Sequence, residues 1–370
     1  MKILITGAKG FIGKNLIAEL RNRNYQDIFE YDVDTKEGRL DTYCQEADFV
    51  FHLAGINRPK EQSEFMQGNF GFTSILLDNL KTHRNICPVM ISSSTQAALD
   101  NPYGKSKKCG EDLLIDYGRE TGAKVLIYRF PNVFGKWCRP NYNSVVATFC
   151  YNIARSIPIK INNADAAMDL VYIDDVVQDL LSAFDGNKQI SKDGFCYVPR
   201  VFKSTVGQVA GLIENFNESR KNLVIPGLGG DFERFIYATF VSYLPETEFS
   251  YPLEMKRDNR GWLSEFIKSE GFGQIFVSRT IPGITRGNHW HHTKVEKFLV
   301  IEGNAVVKFR KIDNEEVIEY PVSGEKLEVV DIPTGYTHSI TNTGDCDLIT
   351  LFWSDQIFDQ TKPDTYYLGV

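Results

Sequence analysis

The chain has 370 residues, 42% of them hydrophobic and 24% charged, with a formal net charge of −7. That length suggests two domains; the acidic balance without a basic block argues against a nucleic-acid partner, and no run nears the roughly 18 to 20 apolar residues of a membrane helix. Seven cysteines lie scattered with no C-x-x-C pair, which reads as free thiols in a reducing, cytoplasmic compartment.

Lys2 to Thr6 form a short apolar run with no room for a secretory leader. The run turns into Gly7, Gly10, Phe11, Ile12 and Gly13, and a helical pattern follows with Leu16, Ile17 and Leu20 on one face. Strand, glycine turn and helix are the context in which such glycines mean dinucleotide binding, because backbone can then approach a pyrophosphate at a helix N-terminus. The second strand ends at Asp32, about 20 residues on, where an acid bonds an adenosine ribose and so favours NAD. Lys9 and Lys36 offer positive charge to a 2′-phosphate instead. Asp48 to Gly55 reads as a strand in fourth position, ending in Leu53, Ala54 and Gly55 beside a nicotinamide ribose; His52 within it reads as a packed core residue. Val89 to Thr95 reads as a buried strand ending in hydroxyls. Tyr103 and Lys107 then stand four apart on one helix face.

Arg129 and Asn132 follow the next strand at its carboxyl end, where ligands bind in open α/β sheets. Asp174 and Asp175 read as an N-cap and first-turn acids. Helical patterns begin at Thr205 and near Phe232, and Leu244 to Pro252 reads as a linker. Beyond it the period changes to 2: Ala305, Val307 and Phe309 alternate with Lys308 and Arg310, which predicts antiparallel strands in a barrel or sandwich. Within them His289 and His291 share one face if the stretch is extended. Glu296 follows, and His338 sits in a second motif from Pro333 to Asn342. Three imidazoles and a carboxylate make a ligand set for a borderline divalent metal such as zinc.

The first part resembles the extended branch of the short-chain dehydrogenase/reductase family. The resemblance rests on T-G-A-K-G-F-I-G, H-L-A-G, the serine strand end, Y-G-K-S-K, R-F-P-N-V-F-G and M-D-L-V-Y-I-D-D-V, in family order over roughly residues 1 to 243. It implies a Rossmann-like, doubly wound parallel sheet. It also implies a catalytic set of Ser94, Tyr103 and Lys107, with Asn132 toward a nucleotide-sugar and Arg129 either beside it or structural. A phenol with pKa near 10 needs tuning to serve as a proton donor. A neighbouring ammonium stabilises the phenolate, Lys107 can also hold the nicotinamide ribose, and Ser94 can bond the substrate oxygen. The usual longer insertion before Tyr103 is absent, a departure from the family at the position of the active serine, which is taken as Ser94.

The remainder resembles the cupins. G-x5-H-x-H-x4-E-x6-G runs from Gly283 to Gly303, and the second motif lacks only its leading glycine, where Leu327 stands. This implies a jelly-roll β-barrel. Asp258 to Phe266, Gly273 to Ser278 and Arg286 to His291 are similar to nucleotide-sugar 3,5-epimerases, generally metal-free, in which the histidine after R-G-x is the base. Here that residue is His289, also in the ligand set, and the two roles conflict; His292 and Lys294 are other candidates for the base. The expected organisation is a reductase domain at 1–243, a linker at 244–252 and a cupin domain at 253–370.

The pair of domains resembles a family of bifunctional capsular-polysaccharide enzymes on the route to UDP-N-acetyl-L-fucosamine. The resemblance implies C3-epimerisation of a UDP-activated 4-keto-6-deoxy amino sugar, a UDP-2-acetamido-2,6-dideoxy-4-hexulose. NADPH-dependent C4 reduction to the UDP-2-acetamido-2,6-dideoxy-L-talose follows, with zinc in the cupin and a homodimer. Asp32 speaks for NADH, so both nicotinamides stay open. Two rivals stand beside this reading: a single-function 4-ketoreductase with a structural or dimerising cupin, and a non-catalytic nucleotide-sensing protein.

Overall fold

A computed structural model describes residues 1–36, 38–187 and 190–370. The chain divides into two compact units, residues 1–213 with 234–245, and residues 214–233 with 246–370.

The first unit is built on a parallel sheet of β1 (Ile3–Thr6), β2 (Ile28–Tyr31), β3 (Phe49–His52), β4 (Val89–Ser94) and β5 (Val125–Phe130), in the order β2-β1-β3-β4-β5. All four residues of β1 and of β3 are buried, the near-continuous apolar signature of strands covered on both faces. The Asp48–Gly55 strand is third, not fourth, in the chain and lies beside β1, because residues 39–46 between β2 and β3 form a helix rather than another strand. That helix is α2 (Arg39–Glu46), and α1 (Phe11–Asn22) precedes it. A short turn α3 (Ser63–Phe65) runs through a π-helical stretch into α4 (Phe72–Thr82), and α5 (Pro102–Thr121) follows β4. Leu40, Leu76, Leu80, Leu114 and Tyr117 from α2, α4 and α5 pack with Val50, Val89 and Ile127 over one sheet face.

Further along come β6 (Asn132–Phe134), α6 (Val145–Ile153), β7 (Ala167–Tyr172), α7 (Ile173–Phe184) and β8 (Phe202–Thr205), with β6-β7-β8 forming a small second sheet. On the far face of the main sheet, Phe184 of α7 meets Phe49 and Phe51. Asp174 and Asp175 lie in the first turn of α7, where Tyr172 is the N-cap. Next are α8 (Val206–Asn222) and α9 (Asp231–Val241). Thr205 and Gln208 close a capping box at the start of α8: Gln208 N donates to Thr205 Oγ1 at 3.2 Å and Thr205 N to Gln208 Oε1 at 3.0 Å.

The second unit holds two antiparallel sheets. One has the order β16-β13-β18-β11-β10-β9 and comprises β9 (Lys256–Asp258), β10 (Gly261–Ser269), β11 (Gly273–Thr280), β13 (Glu296–Glu302), β16 (Val329–Ile332) and β18 (Leu348–Ser354). The other has the order β15-β14-β17-β12-β19 and comprises β12 (Thr285–Trp290), β14 (Asn304–Lys311), β15 (Val317–Ser323), β17 (Tyr336–Asn342) and β19 (Tyr366–Tyr367). Their inner faces share one core: Phe298, Val300, Leu348 and Phe352 from the first sheet meet Val307, Phe309 and Ile340 from the second. The alternation of Ala305, Val307 and Phe309 is the period-2 pattern of strands with one face in that core. This is the cupin-like jelly roll.

Candidate active site and metal centre

In the first unit, β1 and β3 lie side by side with β2 on the far side of β1, so the strand order reverses there and opens a crevice at their carboxyl ends. Gly7 follows β1 at φ +70°, and a Cβ there would stand 2.7 Å from the backbone nitrogen of Ala54. The glycine turn and the Leu53–Gly55 turn thus touch, which only glycine permits. Gly10 caps α1. The N–H groups of Phe11, Ile12 and Gly13 fall in its first turn, with no carbonyl four residues back inside the helix, and form an anion cradle. Both carboxylate oxygens of Asp32 take backbone N–H groups, from Lys9 at 2.7 Å and from Val33 at 2.9 Å. The Lys9 ammonium pairs with Asp34.

His52 is packed: Nδ1 meets Thr6 Oγ1 at 2.7 Å and Nε2 meets Thr73 Oγ1 at 2.9 Å. Thr73 donates to the carbonyl of Asn69, so its oxygen accepts from Nε2–H. Burial, with repulsion from Lys107, pushes this imidazole down to about 3.

Asn101 caps α5, accepting Gly104 N–H at 2.8 Å, and Pro102 occupies the first turn. This sets Tyr103 at the helix start. Tyr103, Lys107 and Glu111 then descend one face of α5 toward β4. Burial pushes the Tyr103 phenol up to about 12, outweighing the opposite effect of the nearby Ser94 hydroxyl. The lysine effect expected from sequence alone is therefore not the dominant one here. Lys107 Nζ lies 6.0 Å from the Tyr103 ring centre and donates to the carbonyl of Ser92 at 3.0 Å. Burial pushes its ammonium down to about 8, against the pull of Glu111. Glu111 is fully buried; it accepts Ser93 Oγ at 2.6 Å and both arms of Arg129 at 2.9 and 2.6 Å. Arg129 also lies 3.5 Å over the Phe195 ring. Its guanidinium is thus held behind the site. Asn132 is exposed on β6 and donates to Asp169 O at 3.2 Å.

A cavity of about 550 Å³ opens in the same unit between Arg58, Tyr142, Ser144, Phe149 and Lys160. Tyr142 lies close enough to Tyr103 to raise its pKa. Neither Arg58 nor Lys160 has a carboxylate within ion-pair distance among the described residues. Sequence reading missed these residues, since Arg58 and Lys160 are separated by a hundred positions and no motif links them.

In the second unit, His289, His291, Glu296 and His338 converge, each offering one ligand atom within 4.8 Å of the others. His289 stands opposite His338 in the β12–β17 register. Glu296 opens β13, its Oε2 at 3.4 Å from His291 Nε2 and 3.5 Å from His338 Nε2. His291 Nε2 and both nitrogens of His338 are buried with no hydrogen-bond partner among the described residues, and the two Nε2 atoms are the ones turned to Glu296. Such orphaned donors are costly alone and are satisfied by a metal, so the residues fit a divalent cation. Burial alone would raise the Glu296 carboxyl, yet the two histidines hold it well below the usual range. Burial, then repulsion from His338, pushes His289 down to about 4, which keeps the imidazole neutral, as a ligand must be.

In a regular strand, period 2 would put Arg286 on the face opposite His289. A bulge at Asn288 (φ +60°) changes that: Arg286 pairs with Ile340 and His289 with His338, and both partners face the core side. Gly287 allows it, since a Cβ there would meet the His338 carbonyl at 2.7 Å. Arg286 Nε donates to Thr280 Oγ1 at 2.8 Å.

Residues 3–193 match the NAD dependent epimerase/dehydratase family, and residues 256–366 match the polysaccharide biosynthesis C-terminal domain. A UDP-2-acetamido-2,6-beta-L-arabino-hexul-4-ose reductase from Pseudomonas aeruginosa is 43% identical over 370 residues, 100% of this chain and 99% of the relative. The crystal structure of the capsular polysaccharide assembling protein CapF from Staphylococcus aureus is 50% identical, with a TM-score of 0.94 and 100% of both chains covered. The fold of the first unit recurs in UDP-glucuronic acid 4-epimerase from Bacillus cereus, at 18% identity and a TM-score of 0.56, covering 66% of this chain and 98% of that one. The chain belongs to the NAD dependent epimerase/dehydratase family and carries, after that region, a polysaccharide biosynthesis C-terminal domain.

Proposed function

We propose that the chain is a nucleotide-sugar oxidoreductase that reduces the C4 ketone of a UDP-2-acetamido-2,6-dideoxy-4-hexulose with NADPH, after its second unit has inverted C3 of the same sugar. The observation that carries the reductase half is the convergence of Ser94, Tyr103 and Lys107 next to a cavity with two uncompensated cations. Arg58 and Lys160 suit a diphosphate, and Tyr142 and Phe149 a base. The 43% identity over the whole chain to a UDP-sugar 4-ulose reductase supports the substrate class.

The reduced nicotinamide supplies a hydride to C4 when bound. Tyr103 holds the proton that the resulting alkoxide takes, and its raised pKa keeps the phenol protonated at neutral pH. Lys107 supplies a fixed positive charge below it. Ser94 orients the ketone oxygen. NADPH is taken in this reading from the family resemblance; each Asp32 oxygen accepts one backbone N–H and keeps a further lone pair, so the ribose of NADH also fits.

For the second unit, the 4-keto group acidifies the C3 hydrogen, so removal and return of that proton on opposite faces inverts the centre. His289, His291, Glu296 and His338 would hold a zinc ion, which as a Lewis acid stabilises charge on a keto oxygen. Arg286 is placed to attract the diphosphate.

The test is proton exchange. The full chain, given the 4-keto sugar in D2O without a nicotinamide, exchanges C3 hydrogen for deuterium, read by NMR. Tyr103→Phe keeps the exchange and loses NADPH oxidation. Reduction without any exchange or inversion would leave a single-function reductase and refute the epimerase half.

A further inference from the structure

We infer that residues 364–370 are a working part of the metal centre, with Asp364 as the positioning residue for the ligand His291. This rests on the metal reading given above. His291 lies just beyond the end of β12, where the β12–β17 ladder has already stopped. Its ring is fixed instead from afar: Nδ1 donates to the backbone carbonyl of Asp364 at 2.6 Å. That bond sets the tautomer, leaving the lone pair on the buried, unpartnered Nε2, which faces Glu296 at 3.4 Å. Metal-bound histidines are oriented in this way by a carbonyl or carboxylate on their other nitrogen.

The same residue braces the segment joining two ligands. One carboxylate oxygen of Asp364 takes the N–H of His292 at 3.0 Å. The other takes the N–H groups of Thr293 and Lys294, and the Thr293 hydroxyl, each at 2.9 Å. Asp364 therefore grips the chain between His291 and Glu296 with its carboxylate while aiming His291 with its carbonyl. It does so at φ +38°, a conformation that a non-glycine residue keeps only when its surroundings impose it.

The following residues continue the brace. Thr365 Oγ1 accepts Lys294 Nζ at 3.1 Å, and that ammonium stands 3.6 Å from Glu296 Oε1. Tyr367 and Tyr366 pair with His289 and Trp290, and Leu368 N donates to Asn288 O at 3.0 Å. All three ligands of the first motif thus touch this segment directly or through one residue.

The experiment is zinc affinity of the full-length chain, by competition with a chromophoric chelator, together with the visible spectrum of its cobalt(II) form. Asp364→Ala is expected to weaken zinc binding about 10- to 100-fold and to alter the cobalt band, while Asp364→Asn, which still accepts backbone N–H groups, recovers part of the loss. Asp364→Ala lowers the melting temperature with excess chelator, since four hydrogen bonds are lost, and lowers it further with zinc, so the stabilisation by added zinc shrinks. Wild-type affinity and spectrum in Asp364→Ala would overturn the inference. So would a loss of melting temperature that is equal with and without zinc. If the unaltered chain takes up neither zinc nor cobalt(II), the metal reading itself falls and this inference with it.

Discussion

Lys107 Nζ donates to the carbonyl of Ser92 at 3.0 Å, which ties the ammonium of α5 to the strand that presents Ser94. Charge and hydroxyl are thereby held at a fixed offset beneath Tyr103. Burial lowers this lysine to about 8. Because the folded pKa lies below the usual 10.5, the cation is present below about pH 8 and lost as pH rises through it. The rate of ketone reduction is expected to fall across that window, and Lys107→Arg, which stays charged, to flatten the fall in whatever activity it keeps. Tyr103→Phe is expected to lower kcat by about 10²- to 10⁴-fold with nicotinamide binding unchanged, measured by NADPH oxidation and by fluorescence titration.

Gly55 packs against the same ammonium. A Cβ at this position would stand 2.9 Å from Lys107 Nζ and 2.8 Å from Asn69 Oδ1. Gly55→Ala is therefore expected to push Lys107 out of place and reduce kcat at least about tenfold, about 1.4 kcal/mol, with a folded circular-dichroism spectrum. Unchanged kcat would show that the lysine can shift at no cost.

His52 predicts a dependence of stability on acidity. Its folded pKa is about 3 against the ordinary 6.5, so between these values the unfolded chain binds the extra proton and stability falls as pH falls below 6.5. At pH 5.5 the loss is on the order of 1 kcal/mol. His52→Asn is expected to remove this part of the acid sensitivity. The check is the difference in melting temperature between pH 7.5 and pH 5.5, which should be smaller in the variant.

Arg129 and Glu111 form a buried pair that joins β5 to α5. Arg129→Leu leaves a carboxylate buried beside Ser93 and is expected to cost about 3–5 kcal/mol of stability. The double change Arg129→Leu with Glu111→Leu should cost less, since no charge is then stranded. Urea unfolding of the wild type and the two variants decides. A double variant as unstable as the single one would show that packing, not charge, holds this contact.

Arg286 gives a prediction for the second unit. Its guanidinium is half-buried, burial and then Arg260 lower its pKa, and no carboxylate lies within ion-pair distance among the described residues. Arg286→Gln is expected to raise KM for C3 exchange about tenfold or more while zinc content stays as in the wild type. A lowered zinc content instead would make the arginine a support of the metal centre rather than a substrate contact.

Local patterns carried much of this molecule in the sequence. The glycine turn after β1, the Tyr103–Lys107 spacing, the His289–His291 pair and the alternation in β14 each depend on neighbours a few residues apart, and those spacings follow from helix and strand geometry alone. The family motifs extended the reading to both folds. The fourth-position reading of the β3 strand failed because nothing local states that residues 39–46 turn helical. What only the tertiary structure decided depends on contacts across long stretches of chain. Glu111 claims Arg129, Tyr142 reaches Tyr103, a bulge at Asn288 turns Arg286 to the inner face, and Asp364 aims His291 across 73 residues. Period and spacing are blind to such pairings, because a single extra residue in a strand reverses every face beyond it, and burial sets a pKa only once the fold has closed over the group.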